Sequence, residues 1–334
     1  MHKTARREFL TGTIGSSLLA GVSTPAFEVE PEAAIGSRPN STPASDRFFT
    51  RRIEDMTSRE VEFYLKEGGD LVFIPFGPVS GHGSFIPLGM HAHWATALSL
   101  ILARKANGLV FPTSYTCFAG ATRSFRGTVS FAIEEQVSTL KRIALTLNKA
   151  GFRRVVLVGG TTPENTGGMM AARELFDETE RPFYFVECEK LLSAPQVKAI
   201  YEGYPGASHE TQLCLGALKI LGRERPIPAA NWAKEIESKG DSKGDQPDEI
   251  LGDIQTMRKW GAVGFRYYEE GNHGNHGTAG LIYKGRSDVD MAVEMLEACA
   301  DVLLPVLDNL AHYADWLDKH PFQYIKAAER LNEM

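Results

Sequence analysis

Three histidines, His82, His91 and His93, fall within twelve residues of one another in the stretch "SGHGSFIPLGMHAHWA", shortly after the apolar run "DLVFIPF". Neutral imidazole is the commonest side-chain metal ligand. A carboxylate with the same capacity, Glu164, stands in "TTPEN" directly after a second apolar run, "RRVVLVGG". Imidazole nitrogen and carboxylate oxygen together suit zinc, manganese or iron, and three such ligands leave coordination positions open for water and substrate. A single histidine is usually a surface bystander. What favours chemistry here is that both stretches follow strand-like runs. His93 comes two residues after His91 at the start of a helical pattern, so the two rings point to different faces and do not both reach one ion.

The elements that must position these residues alternate along the chain. "DLVFIPF" (70–76), "GLVFPTS" (108–114), "RRVVLVGG" (153–160) and "PFYFVEC" (182–188) are short and rich in Val, Ile and Phe, as strands covered on both faces are. Between them lie helical patterns: "HAHWATALSLILARKA", "AIEEQVSTLKRIALTLNKAG" with Gly151 as its stop signal, and "NTGGMMAARELFDETE", expected to begin at Asn165. Strand and helix in alternation predict an α/β fold, a mostly parallel sheet with helices on both faces. In such sheets ligands gather at the carboxyl ends of the strands, which places His82, His91 and Glu164 on one rim.

Composition narrows the partners. The 334 residues carry a net charge of −6 and are 43% hydrophobic, and no basic cluster stands out after the leader. Nothing calls for nucleic acid, no later apolar run is long enough for stable membrane insertion, and a small-molecule substrate is the expected partner. Arg6 and Arg7, followed by Phe9, Leu10 and a moderately apolar Gly-containing stretch, resemble a twin-arginine export signal over 1–26, with a Pro/Ala/Ser/Glu linker over 27–45 and the α/β domain over 46–334. That predicts a periplasmic or otherwise exported protein. Cys117, Cys188, Cys214 and Cys299 lie far apart with no CxxC pairing and are expected as buried small residues.

Two further polar concentrations are candidates for proton transfer. His209 and Glu210 open the helical pattern "SHETQLCLGALKIL", where a carboxylate also simply suits the positive end of a helix. The segment "EEGNHGNHGTAG" holds His273 and His276 among glycines that let a backbone close over a ligand, or form a plain surface turn. The C-terminal stretch "DMAVEMLEACADVLLPVLDNLAHYADWL" is helical and apolar on more than one face, which predicts burial against the domain or another subunit.

"IPFGPVSGHGSFIPLGMH" resembles the signature of the creatininase (creatinine amidohydrolase) family, roughly Pro-x-Gly-Ser-x-Glu-Gln-His-Gly-Pro-His-Leu-Pro-Leu-x-Thr-Asp. Further marks follow in order: "SFRGTVSF", "NKAGFRRVVLVGGTTPEN", "GASHETQLCLGAL" and, more loosely, "HGTAGLIYKGRSD". The resemblance implies a metal-dependent hydrolase, a homo-oligomer, and a site in which two divalent ions share a bridging aspartate. Carried over residue by residue, the first family glutamate falls on Ser80, the next histidine on His82, the bridging aspartate on His91, the loop histidine on Thr162 (or Thr161) and the loop glutamate on Glu164. One ion thus loses both of its private ligands. The other keeps His82 and Glu164, and His91 replaces the shared carboxylate with a donor that faces one metal. The implied site holds one divalent ion, zinc first, with manganese or iron as alternatives. Its bound water would attack a cyclic amide or related carbonyl. Ser80, Thr162, His93 and Arg126, the last standing where the family usually has proline, are expected to meet substrate; His273, His276, His209 and Glu210 are the expected acids and bases. Two other readings stay open: an enzyme opening or isomerising a keto-sugar or cyclitol, and a creatininase-fold binding protein without turnover.

Overall fold

Every residue from Leu71 to Phe76 is buried, and the side chains divide by parity between two cores. Leu71 and Phe73 join one hydrophobic cluster, while Val72, Ile74 and Phe76 join another on the opposite side of the sheet. That division is the period of two of an extended chain with both faces covered. The computed structural model describes residues 49–81, 86–124, 126–160, 162–202, 209–224 and 288–323, with 253, 256–257 and 259; for 121, 124, 162–164, 209–211 and 288 the backbone alone is described. All described residues belong to the unit Thr42–Met334.

The sheet contains β1 (Leu71–Phe76), β2 (Leu109–Val110), β3 (Arg154–Gly159) and β4 (Phe183–Glu187), in the order β2-β1-β3-β4 and with every pair parallel. Helices α1 (Ser58–Lys66), α3 (Ile133–Lys149) and α4 (Thr162–Thr179) cover one face around Tyr64, Val137, Leu140, Ala171 and Leu175. On the other face lie α2 (Met90–Lys105), α5 (Pro195–Glu202), α6 (His209–Ile220) and the long α7 (Asp288–Lys319). Each fully buried Val, Leu, Ile or Phe of these layers contributes roughly 1.5–3 kcal/mol over leaving it in water.

Two boundaries differ from the sequence expectation. The "GLVFPTS" run yields only Leu109–Val110 as strand: after the Phe111 N–H donates to the Phe73 carbonyl, Pro112 with its fixed φ interrupts the extended run, and pairing resumes as a single bridge between Ser114 and Phe76. Helix α4 begins at Thr162, not Asn165, because Pro163 in a first turn loses no hydrogen bond that a helix needs there. Glu164 therefore sits in the first helical turn.

The amino edge of the sheet is fastened by ions and one tyrosine. Arg154 donates to Asp70 at 2.5 and 2.8 Å, Arg153 reaches Asp315 and Asp318 of α7 at 2.8 and 2.6 Å, and Arg181 also pairs with Asp318. The Tyr64 hydroxyl donates toward the carbonyls of Leu71 and Asn107, each at 2.9 Å, and accepts from the Leu71 N–H at 3.1 Å. Burial pushes this phenol up to about 12. All four cysteines are buried and none is in a disulfide, as expected for small core residues. Among the described residues no helix is long and apolar enough to cross a membrane.

Candidate active site

Strand order decides where a ligand can sit. β1 and β3 are neighbours, but the chain leaves β1 toward β2 and leaves β3 toward β4. The helices that follow, α2 and α4, lie on opposite faces. A crevice opens between the carboxyl ends of two such strands. Their register is even: Phe76, the last residue of β1, pairs with Gly159, the last of β3, so both connections leave the sheet at one level.

The connection after β1 is drawn tight against α2. A Cβ on Gly77 would lie 2.5 Å from the Ala92 nitrogen, 2.8 Å from its Cα and 2.9 Å from the His91 carbonyl carbon, so only glycine lets the strand end pass the first turn of α2. The Ser80 N–H donates to the Leu88 carbonyl at 2.8 Å, tying the end of this connection to the residues just before α2. A third segment flanks it. Val129 pairs with Val79 through a 2.9 Å backbone hydrogen bond, and the Gly81 N–H donates to the Thr128 hydroxyl at 2.9 Å. The "SFRGTVSF" stretch is thereby tied to the same rim, with Gly127 at φ +88° against Leu88.

The expected site residues distribute as follows. His91, in the first turn of α2, is 3% exposed, and Ser80 is 2% exposed. His93 is half-buried beside Gly89; burial, with the Arg223 guanidinium adding to it, holds its imidazole below the usual histidine range. Arg126 is exposed in the turn before Gly127. Thr162 and Glu164 are the first and third residues of α4 at the end of β3, and His209 and Glu210 open α6, with backbone alone described. His82, His273 and His276 lie outside the described residues. The fold thus brings the His91, Ser80, Thr162 and Glu164 positions to the two lips of one crevice, while His93 lies against Gly89. Among the described residues no three His, Cys, Asp or Glu side chains converge; of the three expected ligands, only the His91 side chain is described.

One residue at the crevice was not singled out for chemistry by the sequence. Asn165 is 5% exposed, and neither its Oδ1 nor its Nδ2 has a hydrogen-bond partner among the described residues. A Cβ on Gly159 would fall 2.7 Å from that Oδ1 and 2.7 Å from the Phe76 ring, so the glycine makes room for the amide at the last rung of β1 and β3. Leaving a buried amide unsatisfied costs about 1–3 kcal/mol for each unpaired group. A buried imidazole and an orphaned amide beside a helix start carrying a carboxylate fit a small divalent ion and the polar groups it gathers.

The model of the family described as creatinine amidohydrolase matches residues 54–247. The chain belongs to the creatininase family. Solved structures agree in fold: a creatinine amidohydrolase (creatininase) at 19% identity covers 80% of this chain and 99% of its own, with a TM-score of 0.56. A manganese creatininase has 19% identity, a TM-score of 0.53 and coverage of 77% and 98%. A mutant creatininase of zinc–zinc type has 19% identity, a TM-score of 0.53 and coverage of 79% and 98%. No curated protein matches the chain. The creatininase family consists of hydrolytic, metal-dependent amidohydrolases, and the parallel sheet with flanking helices that the described residues form is the fold expected from the alternating apolar runs.

Proposed function

We propose that this creatininase-family chain is a hydrolase that opens a small cyclic amide or a related carbonyl compound, with one divalent ion held by His82, His91 and Glu164. The observation that carries the reading is the β1/β3 switch point, which gives the buried His91 and the first turn bearing Glu164 to opposite lips of one crevice. A divalent ion supplies Lewis acidity to a carbonyl oxygen and lowers the pKa of a coordinated water. The chain's own residues do the rest. Ser80 and Thr162, at the ends of the same two strands, offer hydroxyl hydrogen bonds to substrate in place of the ligands the family pattern has there. Arg126 is an exposed cation beside the rim and suits an anionic or polyhydroxy portion of the substrate. His93, held neutral by burial, serves as a hydrogen-bond partner rather than a ligand. Protons move through His273 or His276, or through His209 and Glu210 at the start of α6.

Zinc is the proposed ion, with manganese its competitor; creatininases of both forms share the fold. Hydrolysis needs no redox change, so iron brings no advantage. We further propose export through the twin-arginine-type leader over 1–26 and assembly as a homo-oligomer, on the strength of Arg6 and Arg7 and of family membership. Purified zinc-loaded chain, assayed against a panel of lactams, cyclic ureas and keto-cyclitols with melting shifts in parallel, tests the reaction class. Turnover of a lactam or cyclic urea is expected. Melting shifts without turnover on any member of the panel would make the chain a binding protein instead.

A further inference from the structure

The geometry points to Asn165 as a positioning residue of the metal centre, its carboxamide hydrogen-bonding the polar groups that an ion brings to the carboxyl ends of β1 and β3. This rests on the metal-centre reading above. Asparagine is a poor helix former, because its side chain competes for backbone hydrogen bonds at caps and turns. As the last residue of "TTPEN" it reads as a helix cap. In the folded chain it is inside α4, three residues past the helix start at Thr162, where no cap is needed. Burial there deprives both ends of the amide of water, and among the described residues nothing replaces that water.

The surroundings are shaped to keep it so. Gly159 clears the space that its own Cβ would otherwise take from Asn165 Oδ1. The next turn of α4 is packed closely on two sides by adjacent glycines, Gly168 against the sheet and Gly167 against α3. A Cβ on Gly168 would lie 2.6 Å from the Phe76 ring and 2.7 Å from Phe185, and one on Gly167 would lie 2.6 Å from the Gln136 amide. Glycine in a helix is itself unfavourable, so the close approach of α4 to the last rung of the sheet, where Asn165 sits, is made against local preference. Gln136, the other buried amide of this region, differs in having a partner: its Oε1 accepts from the Phe118 N–H at 3.0 Å. Asn165 adjoins the proposed ligand Glu164 and faces the strand end from which the His82 and His91 connection departs. Groups just outside a metal's ligands fix ligand orientation by hydrogen bonds that form fully when the ion is present, and losing one typically weakens metal binding about 10–100-fold.

The test uses the full chain and Zn2+ as the probe, with affinity read by competition against a fluorescent chelator and stability of the metal-free protein by thermal melting. Asn165→Leu keeps the volume and removes the amide. The inference expects Zn2+ affinity to fall about 10–100-fold while the metal-free variant melts at or above the wild-type temperature, since an unsatisfied group has been removed. Wild-type affinity in the variant overturns the inference alone, and so does a lower metal-free melting temperature with unchanged affinity, which is the mark of a purely structural amide. A wild-type chain that takes up no ion overturns the metal-centre reading and this inference with it. Should Asn165→Leu not fold, Asn165→Ala is read in the same way.

Discussion

Gly77→Ala probes the join between the end of β1 and α2, the helix that carries the proposed ligand His91. Its new Cβ would meet the Ala92 nitrogen at 2.5 Å, whereas ordinary contact begins at 3.4 Å, so one partner must retreat by about 0.9 Å. Neither can do so alone. The atoms on the helix side are backbone of the first turn of α2, and Gly77 is held by its N–H, which donates to the Ser114 carbonyl at 3.1 Å. The first turn must therefore shift and take His91 with it. Overpacking of this kind costs about 1–3 kcal/mol, which in a domain of this size lowers the melting temperature by about 2–4 °C for each kcal/mol. Metal–ligand distances tolerate only about 0.2 Å, so the displacement of His91 is large on the scale that matters to an ion, and Zn2+ affinity should fall at least tenfold. Thermal melting of the metal-free protein and chelator competition read the two effects separately. A Gly77→Ala chain with wild-type melting temperature and wild-type Zn2+ affinity would refute the packing of α2 against the end of β1 and its connection to the site.

Tyr64→Phe removes the hydroxyl bonded to the Leu71 and Asn107 carbonyls and should cost about 1–3 kcal/mol near neutral pH, measured by denaturant unfolding. In the wild type the folded chain keeps the phenol proton up to about 12 while the unfolded chain releases it near 10.0, so stability should decline as pH rises through that window, by up to about 2.7 kcal/mol, and Tyr64→Phe should lack this component. If His273 or His276 carries the proton, its replacement by Gln should lower turnover by about a hundredfold with Zn2+ content unchanged; loss of the ion would make that histidine a ligand, and unchanged turnover would remove it from the mechanism. Arg126→Ala should raise KM several-fold with kcat nearly constant, the signature of lost ground-state binding, checked by steady-state kinetics on the substrate that the panel identifies.

The sheet and its helices are legible in the sequence because burial on both faces leaves continuous Val, Ile and Phe runs, and the amphipathic segments between them keep a helical period. β1, β3 and β4 fall within one residue of the apolar runs that predict them, and α2 and α6 start within one residue of their patterns. Strand order is not written in any local pattern. That β1 and β3 are neighbours, with their connections departing in opposite directions, follows from tertiary pairing, and it alone brings the starts of α2 and α4, where the proposed ligands His91 and Glu164 stand, to one edge of the sheet. Pro112 and Pro163 moved the boundaries that periodicity could not place, the first by fixing φ within an extended run, the second by being harmless in a first turn. Asn165 was legible only as a helix cap; its role depends on the burial of its amide and on the space left by Gly159, both long-range properties. Gly77 is likewise an ordinary turn residue until the helix it touches is known.

Elemental analysis of the purified, unchelated chain, alongside His91→Ala, tests the central claim most directly. One divalent ion per chain is predicted for the wild type, lost in the variant together with hydrolytic turnover. A metal-free chain with full activity would contradict it, and so would a His91→Ala chain that keeps its ion; two ions per chain would mean that the site retains the two-ion form the family pattern implies.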